Sequence, residues 1–127
     1  MVSLICEKYL QALNSGNLNN VLELFSEGAV VVSPLYGEML ATEFYKNLFQ
    51  DTVNSETKFL GVYQATDSSP SIIMHFNYKW TLRSNTVVNF ECVDLFELTE
   101  EKDKFKKLRI IYDTYPLRKD FEENKNA

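Results

Sequence analysis

The chain has 127 residues, 45% of them hydrophobic and 13% aromatic, a size and composition that suit one domain with a real core. A net charge of -5, with no basic stripe interleaved with aromatics, argues against nucleic acid as a partner. No apolar run approaches membrane length, so no membrane partner is expected.

Met1-Val2-Ser3-Leu4 opens without the basic, long apolar and small-residue segments of a signal peptide. Cys6 and Cys92 stand far apart, one in a helical and one in a strand pattern, which gives neither a disulfide framework nor a zinc site. A cytoplasmic setting is expected. From Ser3 to Asn14 the residues Ile5, Tyr9, Ala12 and Leu13 share one helical stripe. Gly16 ends that helix, and Asn17 caps a short second one with Leu18, Val21, Leu22 and Phe25 inward, closed by Gly28. Ala29 to Val32 is a β-branched strand ending at Ser33-Pro34, and a turn at Tyr36-Gly37 follows. The third helix carries Ala41, Phe44, Tyr45, Leu48 and Phe49 at i, i+3, i+4, i+7 and i+8.

After Thr52 the period changes to 2. Four strands are predicted, at about 58–65, 72–82, 87–98 and 105–115, separated by turns at Thr66 to Pro70 and Ser84-Asn85 and by a charged loop from Thr99 to Lys104. Helices grouped on one side of an antiparallel meander predict an α+β fold, with residues 1–118 forming a single domain. Residues 119–127 are charged and Asn-rich and are expected to fray.

The alternation also selects candidate site residues. Met74, Phe76, Tyr78 and Trp80 share one face of their strand, serving as core, as the wall of a pocket, or as both. On the next strand Phe90, Cys92, Asp94 and Phe96 share a face on which Asp94 is the only charge, so burial should raise its pKa unless the register is flipped by a bulge. Val87, Val93, Leu95 and Ile111 are apolar positions on the opposite face and predict a homodimer through the outer sheet. His75 lies on that polar face as an ordinary surface or interface residue; with no second His to share an ion, no metal is expected, and no cofactor. Asp113 should face away from Tyr112 and pair with Arg109 or Arg118; only a bulged last strand would turn it inward as a base.

Two stretches carry a resemblance. Tyr9-Leu-Gln-Ala-Leu-Asn-Ser-Gly-Asn-Leu through Phe25-Ser-Glu-Gly-Ala-Val-Val-Val-Ser-Pro, followed by Phe44-Tyr45, resembles the opening of ketosteroid isomerases and SnoaL-like polyketide cyclases. Cys92-Val-Asp-Leu-Phe-Glu-Leu with Lys107-Leu-Arg-Ile-Ile-Tyr-Asp-Thr resembles their paired final strands. The resemblance implies the nuclear transport factor 2-like fold: three helices, with a short strand between them, covering a curved antiparallel sheet that encloses a pocket. It also implies that Tyr9 and a protonated Asp94 are donors to a developing oxyanion, that Tyr45 supports Tyr9, and that Tyr112 is a pocket aromatic. Phe25 stands where the family has a further supporting Tyr. Ser33 stands where the family has its general base, an Asp before Pro, so isomerisation of the family's type is disfavoured. Two functions are expected to compete: an apolar pocket for a small carbonyl- or phenol-bearing ligand, with isomerase- or cyclase-like chemistry, and a non-catalytic dimeric scaffold whose pocket is filled.

Overall fold

The computed structural model describes residues 2–126, with side chains from residue 4 onward. The elements in order are α1 (Val2–Ser15), α2 (Leu18–Leu22), β1 (Phe25–Ser33), β2 (Gly37–Leu40), α3 (Ala41–Gln50), β3 (Thr52–Gln64), β4 (Ser71–Leu82), β5 (Val87–Leu98), β6 (Phe105–Ile111), a 3-10 turn at Tyr115–Leu117, and α4 (Arg118–Lys125). Six strands form one sheet in the order β2-β1-β6-β5-β4-β3. It curves around α1 and α3, whose apolar stripes supply Tyr9, Leu13, Phe44 and Tyr45 to the core.

Local chemistry sets the boundaries. Gly16 takes φ +67°, where a side chain would be strained, and stops α1. Asn17 Oδ1 accepts from the Asn20 amide at 3.1 Å and starts α2. In β4 the inward residues Ile72, Met74, Phe76, Tyr78, Trp80 and Leu82 are all buried, as period 2 requires of a strand with one face on a core.

Several sequence expectations need correction. The second helix ends at Leu22 and does not reach Phe25, which begins β1. Gly28, with φ +77°, does not close a helix; it lies where the β1 register shifts between Phe25 and Val30. The sheet is not wholly antiparallel, because β1 pairs parallel with β6. A further short strand, β2, lies between the turn and α3, and β3 begins six residues earlier than the apolar alternation suggested, because residues 52–57 are largely polar.

The expected frayed tail is a helix. α4 has only one large apolar anchor, Phe121, which packs edge-on to Tyr36 at 5.1 Å and tilted against Trp80 at 6.1 Å. Asn124 is fully buried and ties three segments together. Its Nδ2 donates to the Asp51 carbonyl at 3.2 Å, its Oδ1 accepts from the Ser84 amide at 2.7 Å, and its carbonyl accepts from Arg83 Nη2 at 3.0 Å. Among the described residues no helix is long and apolar enough to cross a membrane.

Candidate functional site

A cavity of about 40 Å³ lies between the inner sheet face and the helices. Tyr9 and Leu13 of α1, with Phe44 and Leu48 of α3, form one side of it. Phe76, Tyr78 and Trp80 of β4 and Phe90, Cys92 and Asp94 of β5 form the other. Ser33 and Tyr36, in and after β1, and Ile110 and Tyr112, at the end of β6, complete the lining. By volume it accepts about three water-sized spheres.

Tyr9 and Asp94 thus reach the same cavity, but each has a different hydrogen-bond partner. The Tyr9 and Tyr45 hydroxyls are 2.7 Å apart, and Asp94 Oδ1 accepts from Cys92 Sγ at 3.3 Å. Asp94 is 1% exposed. Burial pushes its carboxyl up to about 7, a rise that the weak thiol hydrogen bond only partly opposes. The Asp94 charge and burial together raise the thiols in turn: Cys6 is pushed up to about 12, chiefly by burial, and Cys92 is raised further. The hydroxyls of Tyr9, Tyr45, Tyr78 and Tyr112 are all held protonated by burial above their ordinary range.

Four residues expected to line the pocket do not reach it. Phe25, Tyr45, Met74 and Phe96 are buried in solid packing beside it. Tyr9, Phe25, Phe96 and Phe105 pack mostly edge to face, with Phe96 and Phe105 stacked at 3.9 Å. Tyr45 packs against Phe25 and Tyr9, so it supports Tyr9 from outside the cavity. Alternation gave the face correctly; it does not reveal how far along the strand the interior is filled. Replacing Tyr9 by Phe should leave the Tyr45 hydroxyl buried without its partner, at a cost of about 1–3 kcal/mol. Urea unfolding of Tyr9→Phe measures it, and a loss below a few tenths of a kcal/mol would rule out the pair as a stabilising contact.

Ser33 is committed to the backbone. Its Oγ accepts from the Leu35 and Tyr36 amides, both at 3.2 Å, and so holds the turn after β1. Asp113 is exposed and accepts from the Tyr115 amide at 3.0 Å; it is neither in the cavity nor paired with Arg109 or Arg118. On the outer face the His75 ring hydrogen-bonds to the Glu91 carboxyl. Trp80 Nε1 donates to Thr52 Oγ1 at 2.7 Å, and the Tyr78 hydroxyl meets Ser55 Oγ at 2.8 Å, which fixes two of the wall rings.

Sequence reasoning missed Tyr36. Its hydroxyl donates to Asp51 Oδ2 at 2.6 Å, and Arg83 Nη1 stands 3.8 Å from Asp51 Oδ1. Burial, followed by this hydrogen bond, keeps the Tyr36 proton firmly in place. The available signal was an aromatic in the turn region after Pro34, three residues from Ser33, a position expected to line the pocket.

No family model matches the chain, and no curated protein is significantly similar to it in sequence. Solved structures are similar in shape. A hypothetical protein with a ketosteroid isomerase-like fold from Catenulispora acidiphila, in complex with trimethylamine, superposes with a TM-score of 0.74 at 14% identity, covering 86% of this chain and 85% of that one. The epoxide hydrolase/cyclase-like enzyme SalBIII of pyran ring formation in the polyether salinomycin gives 0.74 at 18% identity, covering 88% and 90%. A nuclear transport factor 2-like protein of unknown function from Cytophaga hutchinsonii gives 0.70 at 14% identity, covering 92% and 94%. The helices packed into a curved six-stranded sheet have the nuclear transport factor 2-like, ketosteroid isomerase-like α+β fold.

Proposed function

We propose that the cavity binds a small, largely apolar molecule through a carbonyl or phenol oxygen, with Asp94 in its protonated form as the donor and acid–base chemistry of the cyclase or isomerase kind as its use. The observation that carries this reading is a carboxyl 1% exposed in the lining of a largely aromatic hollow, whose protonated form persists to about pH 7. The SalBIII and trimethylamine structures support it in kind, one by its cyclase-like description and the other by a small bound ligand. The test is a titration with small phenols and cyclic ketones followed by NMR. Asp94→Asn should retain part of the affinity, and Asp94→Leu should lose about 1–3 kcal/mol more. Equal affinity in both variants would rule out Asp94 as the donor.

Classical ketosteroid isomerisation is not expected, because the Ser33 hydroxyl accepts two backbone hydrogen bonds and is no base for a carbon acid. An assay with a β,γ-unsaturated ketosteroid should show no turnover above background. Robust turnover would mean that a different group acts as base.

The second reading is a dimeric scaffold, and the small volume of the cavity favours it. On the outer face the register places Tyr63 beside Ile73, Ile73 beside Leu95, and Val93 beside Ile111. Tyr63 and Ile111 are about half exposed or more. This apolar row is the expected contact between two copies. Light scattering at micromolar concentration should give twice the 14.8 kDa chain mass. Ile111→Lys should halve it, and a wild-type monomer would eliminate the dimer.

A further inference from the structure

We propose that α4, with the Tyr36 ring it holds in place, is a gate over one end of the cavity, and that the hollow admits a ligand only when this helix undocks. The proposal rests on the reading of the cavity as a ligand site and adds how that site is reached. A volume of about 40 Å³ is smaller than any phenol or cyclic ketone, so binding one requires a wall to move.

Most of the wall is firmly held. Tyr9 and Leu13 of α1 and Phe44 and Leu48 of α3 are buried, and the Tyr9 and Tyr45 hydroxyls join the two helices. β4 and β5 are paired with neighbours on both sides along most of their length. The end at Tyr36 and Trp80 is different. Tyr36 lies in the turn between β1 and β2, and both rings are covered from α4 by Phe121, at 5.1 and 6.1 Å. Lys125 Nζ stands 5.2 Å from the Tyr36 ring centroid and 4.9 Å from that of Phe121, which closes the same contact from the far end of the helix.

α4 is the least anchored element around the hollow. Its 8 residues are too few for a helix that stands without tertiary packing. Among its described residues only Phe121 and Asn124 are buried, and its N-terminus has no side-chain cap. Segments with so few buried contacts open before the rest of a domain. When α4 undocks, Tyr36 loses Phe121 and Lys125 and keeps Phe44 and its hydrogen bond to Asp51. Ligand affinity then scales with the fraction of molecules that are open.

Cys92 reports the opening, because it is a free, buried thiol in the cavity lining. The experiment treats the full chain with methyl methanethiosulfonate and follows modification of the Cys92 peptide by mass spectrometry. The rate should rise only weakly with low urea, because releasing so short a helix exposes little surface. Glu122→Gly, on the exposed face of α4, should raise the rate about threefold, and Glu122→Ala should slow it. Gln11→Gly puts the same loss on the exposed face of α1 and should leave the rate unchanged. Glu122→Gly should also bind a phenol about threefold tighter. A rate that follows the full unfolding slope in urea, or one that Gln11→Gly raises as much as Glu122→Gly, overturns the gate. The labelling needs no ligand, so that result leaves the ligand-site reading standing if a phenol binds. If no phenol or ketone binds the unmodified chain or Glu122→Gly, the ligand-site reading is overturned, and the gate with it.

Discussion

Asp94→Asn should make the protein more stable at pH 8 and less stable, by about 1–2 kcal/mol, at pH 4. In the unfolded chain an aspartate ionises near 3.9; in the folded chain Asp94 holds its proton to about 7 because burial penalises the charged form. Between those values the folded state keeps a proton that the unfolded state has released. Stability therefore falls as pH rises through this window, and the loss is complete above about 7. At about 1.4 kcal/mol for each tenfold change in proton affinity, the loss from this one group is ~4 kcal/mol. Asparagine has no charge to desolvate, but its amide must find partners, at a cost of about 1–2 kcal/mol. The net gain at pH 8 should be about 2–3 kcal/mol, or a rise in Tm on the order of 10 °C for a domain of this size. The quantity to measure is the difference between the two proteins in urea from pH 4 to pH 8, because the other carboxylates titrate in both and cancel. Parallel stability profiles for the two proteins would show that Asp94 titrates as an ordinary aspartate.

The face on which Asp94 lies was legible in the sequence because every second residue of β4 and β5 follows one rule. Asp94 sits two residues from Cys92 and two from Phe96, and all three are buried. Which of those buried residues border a hollow was not legible. Phe96 meets Phe105 from the neighbouring strand and Tyr9 from α1, a convergence of segments far apart in the chain, whereas Phe90 meets Tyr112 and lies against the cavity. The parallel pairing of β1 with β6 was hidden for the same reason, since Val31 and Leu108 are partners across most of the chain. Phe25 was misread locally. In isolation, an aromatic three residues after Leu22 suits a helix, and only the pairing with Phe105 makes it a strand.

α4 was the least legible element, and its removal should be severe. The segment Arg118–Lys125 has no repeated apolar stripe, so its sequence resembles a solvated tail. Its stability comes instead from two residues whose partners lie far away in sequence. Asn124→Leu would remove the acceptor of the part-buried Ser84 amide and the donor to the buried Asp51 carbonyl. Two such groups left unpaired cost about 2–4 kcal/mol together. Phe121→Ala should cost about 3 kcal/mol, the lower end for a buried Phe, because a helix at the chain end can settle into part of the space. Ending the chain after Leu117 combines both losses and exposes the Tyr36 and Trp80 rings that border the cavity. The shortened chain should lose ~5 kcal/mol, with a fall in Tm of roughly 15–25 °C. Its Trp80 emission should also shift to the red while the rest of the fold persists at low temperature, because water then reaches the ring that Phe121 covers. An unchanged Tm together with unchanged Trp80 emission would mean that the last ten residues only fray, and that the cavity is closed without them.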